Sequence, residues 1–380
     1  MNVNFPNREP VLVRNHEIRI VRRLPGGGDV KIRAGERIAA DHILARTDPT
    51  SAAVKIAISD QLGVAPQEAV KNLLRPVGST FGVGEALARS RKGLRNVVVA
   101  SPIAGTLLSV DNDTGMAHMT PSGGGEFRSM VAGDVEFVDG KHSVSIRTVG
   151  SRLFGIIGLG SPVTGEIRVI ASAPNEEFQA SKVSADLAGK IVVGGSWATA
   201  AAIKKLAEVG AVGLITGGFI DREVLASLGV ATDDRLSAWR LKPNDQSIGE
   251  EFRSGIAMMA TEGFGPLAIN QQAFDFLREL NGARAVLFTS TRVIGYLARP
   301  QLIVVNEDLL DDDAPTGNAM LAPGTSVRLI DQNALGQRVE VAGAPKRARR
   351  GDGNMIEVIE IQLANGQYKT VPLANIEIVA

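Results

Sequence analysis

Apolar positions along most of the chain fall in short runs of strand length, alternating or continuous, bounded by Gly, Pro, Asn and Asp. Residues 131–138, 143–149 and 165–171 read as strands, with Asp139-Gly140 turning the first connection. Toward the end of the chain 323–330, 337–342, 355–363 and 367–372 do the same, Asn365-Gly366 marks a hairpin, and 373–379 closes the group. The pattern changes in the middle. Residues 189–195 form a continuous apolar run ending in Gly, and 198–209 are Ala-rich with Ile203, Leu206 and Val209 at helical spacing. A second run ending in Gly follows at 211–218. This βαβ order predicts parallel strands with a right-handed crossover. A helix at 221–228, a strand at 256–261, a helix at 271–280 and a strand at 285–289 extend it into an expected Rossmann-like α/β domain. A short helical insertion is expected at 64–74, with Pro66 at its first position and Glu68 in its first turn.

The first part of the chain repeats itself. Residues 35–46 (GERIAADHILAR) and 78–89 (GSTFGVGEALAR) align without gaps: Gly, an apolar residue three on, then Leu-Ala-Arg. A second pair, 101–110 (SPIAGTLLSV) and 161–170 (SPVTGEIRVI), shares Ser-Pro, two residues, Gly and an apolar strand. In that second pair Pro is expected at a strand edge and Gly in a turn of positive φ.

These two patterns over roughly residues 11–120 resemble the barrel-sandwich hybrid fold of biotinyl and lipoyl carrier domains and their non-carrier relatives. In a carrier the resemblance implies a modified Lys on a hairpin tip just before the Ser-Pro strand, among Met, acidic and small residues. Lys92 is the Lys at that place, but it stands in Arg89-Ser-Arg-Lys-Gly-Leu-Arg95, without Met or carboxylate. Covalent biotin or lipoate on Lys92 is therefore not expected, and no other cofactor is. Arg89, Arg91, Lys92 and Arg95 instead form a basic spot, either solvated or facing an anionic partner.

The ends of the central strands read Gly194-Gly195-Ser196, Thr216-Gly217-Gly218 and Thr261-Glu262-Gly263. In open parallel sheets ligands sit beyond the C-terminal strand ends, and Gly there lets backbone N–H groups approach an anion or a flat ligand. These nine residues are the candidate ligand rim, although tight α/β loops are rich in Gly without any ligand. No spacing matches a nucleotide-binding motif.

The tail, about 60 residues from 320, resembles an SH3-like barrel of the KOW type. That resemblance implies contact with RNA, ribosomal surfaces or transcription machinery. Lys346, Arg347, Arg349 and Arg350 form the densest basic run in the chain, and Arg328 could join them on phosphates, with Tyr368 as the one nearby aromatic.

Composition sharpens this picture mainly by exclusion. The 380 residues carry 41 Lys plus Arg against 41 Asp plus Glu, so bulk electrostatic binding to nucleic acid or membrane is not expected. Cys is absent, which removes disulfides, thiolate metal sites and Cys nucleophiles. The four His are scattered without metal-ligand spacing, and the Asp run at 311–313 reads as a solvated loop, so no metal site is expected. No spanning apolar run and no signal-peptide pattern occur, so a cytoplasmic protein off the membrane is expected. The expected fold class is multi-domain α+β and α/β: a barrel-sandwich domain (1–122), a β extension (123–176), a Rossmann-like domain (177–306), an acidic linker (307–319) and an SH3-like barrel (320–380). The expected function is non-enzymatic binding or scaffolding within a protein assembly. A small-ligand enzyme or sensor using the Gly-rich rim is one alternative, and an RNA- or transcription-associated factor acting through the tail is the other.

Overall fold

The computed structural model describes residues 7–379 apart from 9, 25–28, 47–52, 83–84, 93–94, 102, 104, 122–125, 141, 228–255, 290–298, 312–314, 316–318, 331–333, 335–336 and 350–354. The chain divides into two compact units. One comprises Arg19–Thr148 with Arg253–Gly255. The other comprises Met1–Ile18, Val149–Phe252 and Ile256–Ala380.

The unit Arg19–Thr148 is built from short antiparallel strands. A four-stranded sheet joins Val54–Ala57, Met116–Pro121, Gly105–Val110 and Thr80–Phe81, and the hairpin of Ala86–Lys92 with Arg95–Ala100 lies beside it in sequence. Val54, Ile56, Leu62, Phe81, Leu87 and Met119 are among the residues that close a shared core. The GxxΦ…LAR repeat is real in structure. Gly35 and Gly78 both turn the chain at positive φ, +85° and +92°, where a side chain would be strained. Ile38 and Phe81 are buried three residues on, and Leu44-Ala45 and Leu87-Ala88 are buried in strands with Arg46 and Arg89 outside. The Ser-Pro pair works differently from expectation. Gly105 and Gly165 are not at positive φ. A Cβ on Gly105 would lie 2.2 Å from the Thr120 carbonyl oxygen, and one on Gly165 2.8 Å from that of Gly189. Glycine is needed there for the close approach of a neighbouring backbone.

The other unit carries a large mixed sheet. Its elements in chain order are β1 (Leu12–Arg23, of which the residues to Ile18 belong here), β2 (Ser143–Phe154, from Val149), β3 (Ile157–Leu159), β4 (Val163–Val169), β5 (Lys190–Val193), α1 (Ala200–Glu208), β6 (Gly213–Phe219), α2 (Asp221–Ser227), β7 (Ala257–Phe264), α3 (Gln271–Glu279), β8 (Arg284–Phe288) and β9 (Gln301–Val305). The strand order is β3-β7-β6-β5-β4-β8-β9-β2. The run β4 to β7 is parallel, while β3 on β7, β8 on β4, β9 on β8 and β2 on β9 are antiparallel. Burial on both faces explains the continuous apolar runs: Gly213–Phe219 is buried at every position. Thr199 caps α1 through its side chain, and Asn270 caps α3. Phe274, Phe276 and Leu277 of α3 enter the core with Leu153, Ile191 and Leu287.

A six-stranded antiparallel sheet follows, formed by β10 (Ser326–Leu329), β11 (Arg338–Val341), β12 (Lys346–Arg349), β13 (Met355–Gln362), β14 (Tyr368–Pro372) and β15 (Ile376–Ile378). Val327, Leu329, Val339, Val341, Ile359 and Ile361 are among its own core residues.

The expected fold class does not hold. Among the described residues strand accounts for 49% and helix for only 16%, too little helix for α+β modules with a Rossmann-like layer domain at 177–306. The parallel strands of that region do not stand alone. Their parallel run continues into β4, from outside the 177–306 segment, and the run is flanked by antiparallel β8 on β4 and antiparallel β3, also from outside it, on β7. A βαβ pattern fixes only the local order of elements, and pairing with distant strands leaves no local mark in sequence.

Candidate functional site

The three strand ends picked out by the sequence meet. Gly217 N donates to the Gly195 carbonyl at 2.8 Å, Gly218 N to that of Ser196 at 2.7 Å, and Gly194 N to that of Ile215 at 2.9 Å. Gly218 stands in register with Gly263. Thr216 Oγ1 donates to the Gly218 carbonyl at 3.0 Å, and Ser196 N and Oγ both donate to the Glu176 carbonyl, at 2.7 and 3.0 Å. Thr216, Ser196 and Thr261 are buried. The N–H groups of Gly194, Ser196, Gly217 and Gly218, expected to cradle an anion, are thus taken up in backbone hydrogen bonds. The glycines are required by proximity: a Cβ on Gly217 would sit 2.0 Å from the Leu267 carbonyl oxygen, and one on Gly218 2.1 Å from that of Gly265.

Glu262 is the rim residue that faces outward chemistry. Its Oε1 accepts from the Asn270 backbone N at 3.1 Å, at the N-terminus of α3, where the helix dipole favours a carboxylate. Its Oε2 accepts from Arg328, whose Nη1 also donates to the Thr261 carbonyl at 3.0 Å. Arg328 is a sequence candidate to join the basic run on phosphates. It is instead only 4% exposed and held between Glu262 and Glu377. The reason lies in the alternation of β10. Val327 and Leu329 point into the core of the tail sheet, so Arg328 points out of its opposite face, level with Arg338 on β11 and Glu377 on β15. Glu377, also 4% exposed, takes a second cation from Arg299. Burial by itself pushes the Arg328 pKa down, but the charges of Glu377 and Glu262 outweigh it and leave it raised above the usual value. Phe154 lies under two guanidinium groups, Arg152 at 4.2 Å and Arg299 at 4.4 Å from its ring centre.

Beside this cluster opens a cleft of about 350 Å³. Val11, Leu12, Leu153, Phe154, Ala273 and Val379 supply its apolar lining, and Thr261, Glu262 and Arg328 form a polar wall. Asn270, Gln272, Asp275 and Glu279 come from α3 and its cap, Arg14 from β1 and Arg338 from β11. Val11 helps fix the floor: its N donates to the Ile378 carbonyl at 3.0 Å and its carbonyl accepts from Phe154 N at 2.8 Å. Arg14 pairs with Glu279 at 3.1 Å and lies 5.0 Å above the Phe276 ring. Asn15 beside it is a non-Gly residue at positive φ, +48°, and its N donates to Ser151 Oγ at 3.2 Å. A second, more open cavity of about 530 Å³ shares Arg14 and Glu279 with the first.

Two rim residues, Thr261 and Glu262, therefore line the cleft, and the other rim residues do not. Sequence reasoning missed Arg14, Asp275, Glu279, Arg299, Arg338 and Glu377. The outward position of Arg328 was readable from the Val327-Arg328-Leu329 alternation, but its partners lie 66 and 49 residues away and carry no local signal.

The basic residues of the sequence fall elsewhere. Arg89 and Arg91 are exposed on the strand Ala86–Lys92, and Lys92 pairs in register with Arg95. The side chains of Lys92 and Arg95 lie outside the described residues. Lys346, Arg347 and Arg349 are exposed on β12, which pairs only with β13 among the described residues, and Arg350 lies outside them. Tyr368 on β14 is 63% exposed. Among the described residues no group of three or more His, Asp or Glu is placed to hold a metal ion, and no helix is long and apolar enough to cross a membrane. Part of the Asp run at 311–313 falls outside the described residues. No protein-family model matches the chain, and a search of curated proteins finds no match.

Proposed function

We propose that this chain is a binding protein that takes a small molecule in the cleft between α3, β1 and the Glu262–Arg328 wall. The observation that carries the reading is the make-up of that cleft. An apolar floor is bordered by a few charged groups held in place by buried partners, the usual composition of a small-molecule site. The groups that touch the cleft include no nucleophile–base pair, so binding rather than turnover is the activity it supports. The test is thermal-shift screening of the full chain against a broad metabolite set, followed by calorimetry. A ligand present at about 100 times its Kd stabilises by about 2.7 kcal/mol, which a melting curve resolves. Gln272→Trp, an exposed change on the lining face of α3, should abolish the shift while leaving the unliganded melting curve unchanged. If no compound stabilises the chain, or if Gln272→Trp leaves every shift intact, the reading fails. Substitutions at Gly217 or Gly218 would not serve, because a side chain there collides with backbone.

A second reading rests on β12. Its exposed Lys346, Arg347 and Arg349 present a basic strand edge to which a nucleic-acid backbone can dock. Binding to RNA should then weaken steeply with salt and be lost when the three become Ser. Salt-independent binding, or binding that survives the triple change, rejects it.

A further inference from the structure

We infer that the cleft recognises a small zwitterion, a free amino acid or a molecule with the same ammonium–carboxylate pair, carrying an apolar body. This rests on the reading of the cleft as a small-molecule site. The charges that line it match one another in pairs with one cation and one anion left over. Glu279 is taken by Arg14, and Glu262 by Arg328. Arg338 makes no ion pair or hydrogen bond with another described residue. It sits in register with Arg328, a like charge that is itself ion-paired with Glu262 and Glu377. Among the described residues the Asp275 carboxylate accepts only from the Gln271 amide, at 3.0 Å, and has no cationic partner.

A ligand that enters the cleft exchanges water for protein, so each of its charges needs a partner there. Arg338 provides one for a carboxylate, with the paired donors that a guanidinium offers. Asp275 provides one for an ammonium. A dianion or a phosphate ester would find one unmatched cation and one repelling carboxylate. A neutral apolar molecule would leave both charged groups partly desolvated without a partner. The apolar floor of Val11, Leu12, Leu153 and Phe154 suits an aliphatic or aromatic side chain, and about 350 Å³ is at the small end of ligand sites.

Calorimetry on the full chain with leucine and phenylalanine, and with their N-acetyl and carboxamide derivatives, tests this. Either zwitterion should bind, and blocking its amine or its carboxylate should weaken it by about tenfold or more. Arg338→Gln should weaken the zwitterion but not the carboxamide, and Asp275→Asn should weaken the zwitterion but not the N-acetyl acid. Both residues are exposed, so folding should survive, and unchanged urea midpoints check it. Zwitterion binding insensitive to both substitutions overturns the inference. So does a cleft that prefers anions or neutral molecules, recognised because Gln272→Trp blocks them, and that result leaves the small-molecule reading standing. Absence of any binding that Gln272→Trp blocks overturns both.

Discussion

At the scale of single residues, the buried charges decide more than the exposed ones. Arg328 is enclosed with Glu262 and Glu377, and removing it leaves two carboxylates with Arg299 as the remaining cation of the group. Arg328→Met should therefore cost about 3–5 kcal/mol in urea unfolding, the range for breaking a buried ion pair from one side. Arg14→Ala breaks a pair whose side chains are about half exposed and should cost under about 1 kcal/mol. Equal costs for the two would mean that the buried cluster is not under the constraint its geometry implies. Asp134 gives a pH-dependent case. Hydrogen bonds from Arg37 and then Arg147 outweigh desolvation and hold its carboxyl below the usual value. Its contribution is thus complete above the unfolded value of about 4 and disappears as pH falls through the lower folded value. Asp134→Asn should lower stability by roughly 1 kcal/mol at pH 7, since Arg37 is well exposed, and the difference should close below pH ~4. A difference that persists unchanged at pH ~2 would assign the effect to packing instead.

At the scale of elements, glycine separates what the sequence showed from what it concealed. Gly35, Gly78, Gly140 and Gly366 turn the chain at positive φ, as their Gly-containing turns indicate. Gly105, Gly165, Gly217 and Gly218 look no different in sequence, yet they are needed because another backbone passes within 2.0–2.8 Å of where a Cβ would be. Close approach depends on tertiary pairing, so the sequence marks these positions only as Gly-rich. Gly217→Ala should consequently destabilise by about 3 kcal/mol, near the upper end for overpacking. Gly35→Ala, with open space around it but an unfavourable φ, should cost about 1 kcal/mol. Urea unfolding of the two variants checks the order, and a reversed order would contradict the close contact with Leu267. The caps of α1 and α3 are not singled out in the sequence, and the helical stretch read over 198–209 takes in Thr199, which instead caps α1. Thr199 and Asn270 accept from Ala202 N at 3.2 Å and Gln272 N at 3.0 Å. Nothing local announced that Glu262 would accept from the Asn270 backbone N.

At the scale of the whole molecule, local pattern located strands well and assembled them wrongly. The runs around 190, 213 and 257 are strands, and the helix after the first is present, but the sheet they enter takes antiparallel partners at both sides. One of those partners, β3, comes from more than 90 residues earlier than β7, a separation at which hydrophobic periodicity is silent. The same limit applies to the division into units. Residues 19–148 form a compact unit that interrupts the other, whose first segment ends at Ile18 and resumes at Val149. This inserted unit closes a core of its own from Val54, Leu62, Leu87, Leu107 and Met119, and its four-stranded sheet and the 86–100 hairpin pair within it. Its length falls inside the usual range for an independently folding domain. The isolated segment 19–148 should therefore show one cooperative urea transition and a dispersed amide spectrum. The remaining chain should not fold if it simply stops at Ile18, because Val11 and β2 from Val149 both belong to the same core, joined by Phe154 N to the Val11 carbonyl. A non-cooperative melt of 19–148 would show that its core needs the other unit, and the chain would then fold as one body despite its two compact parts.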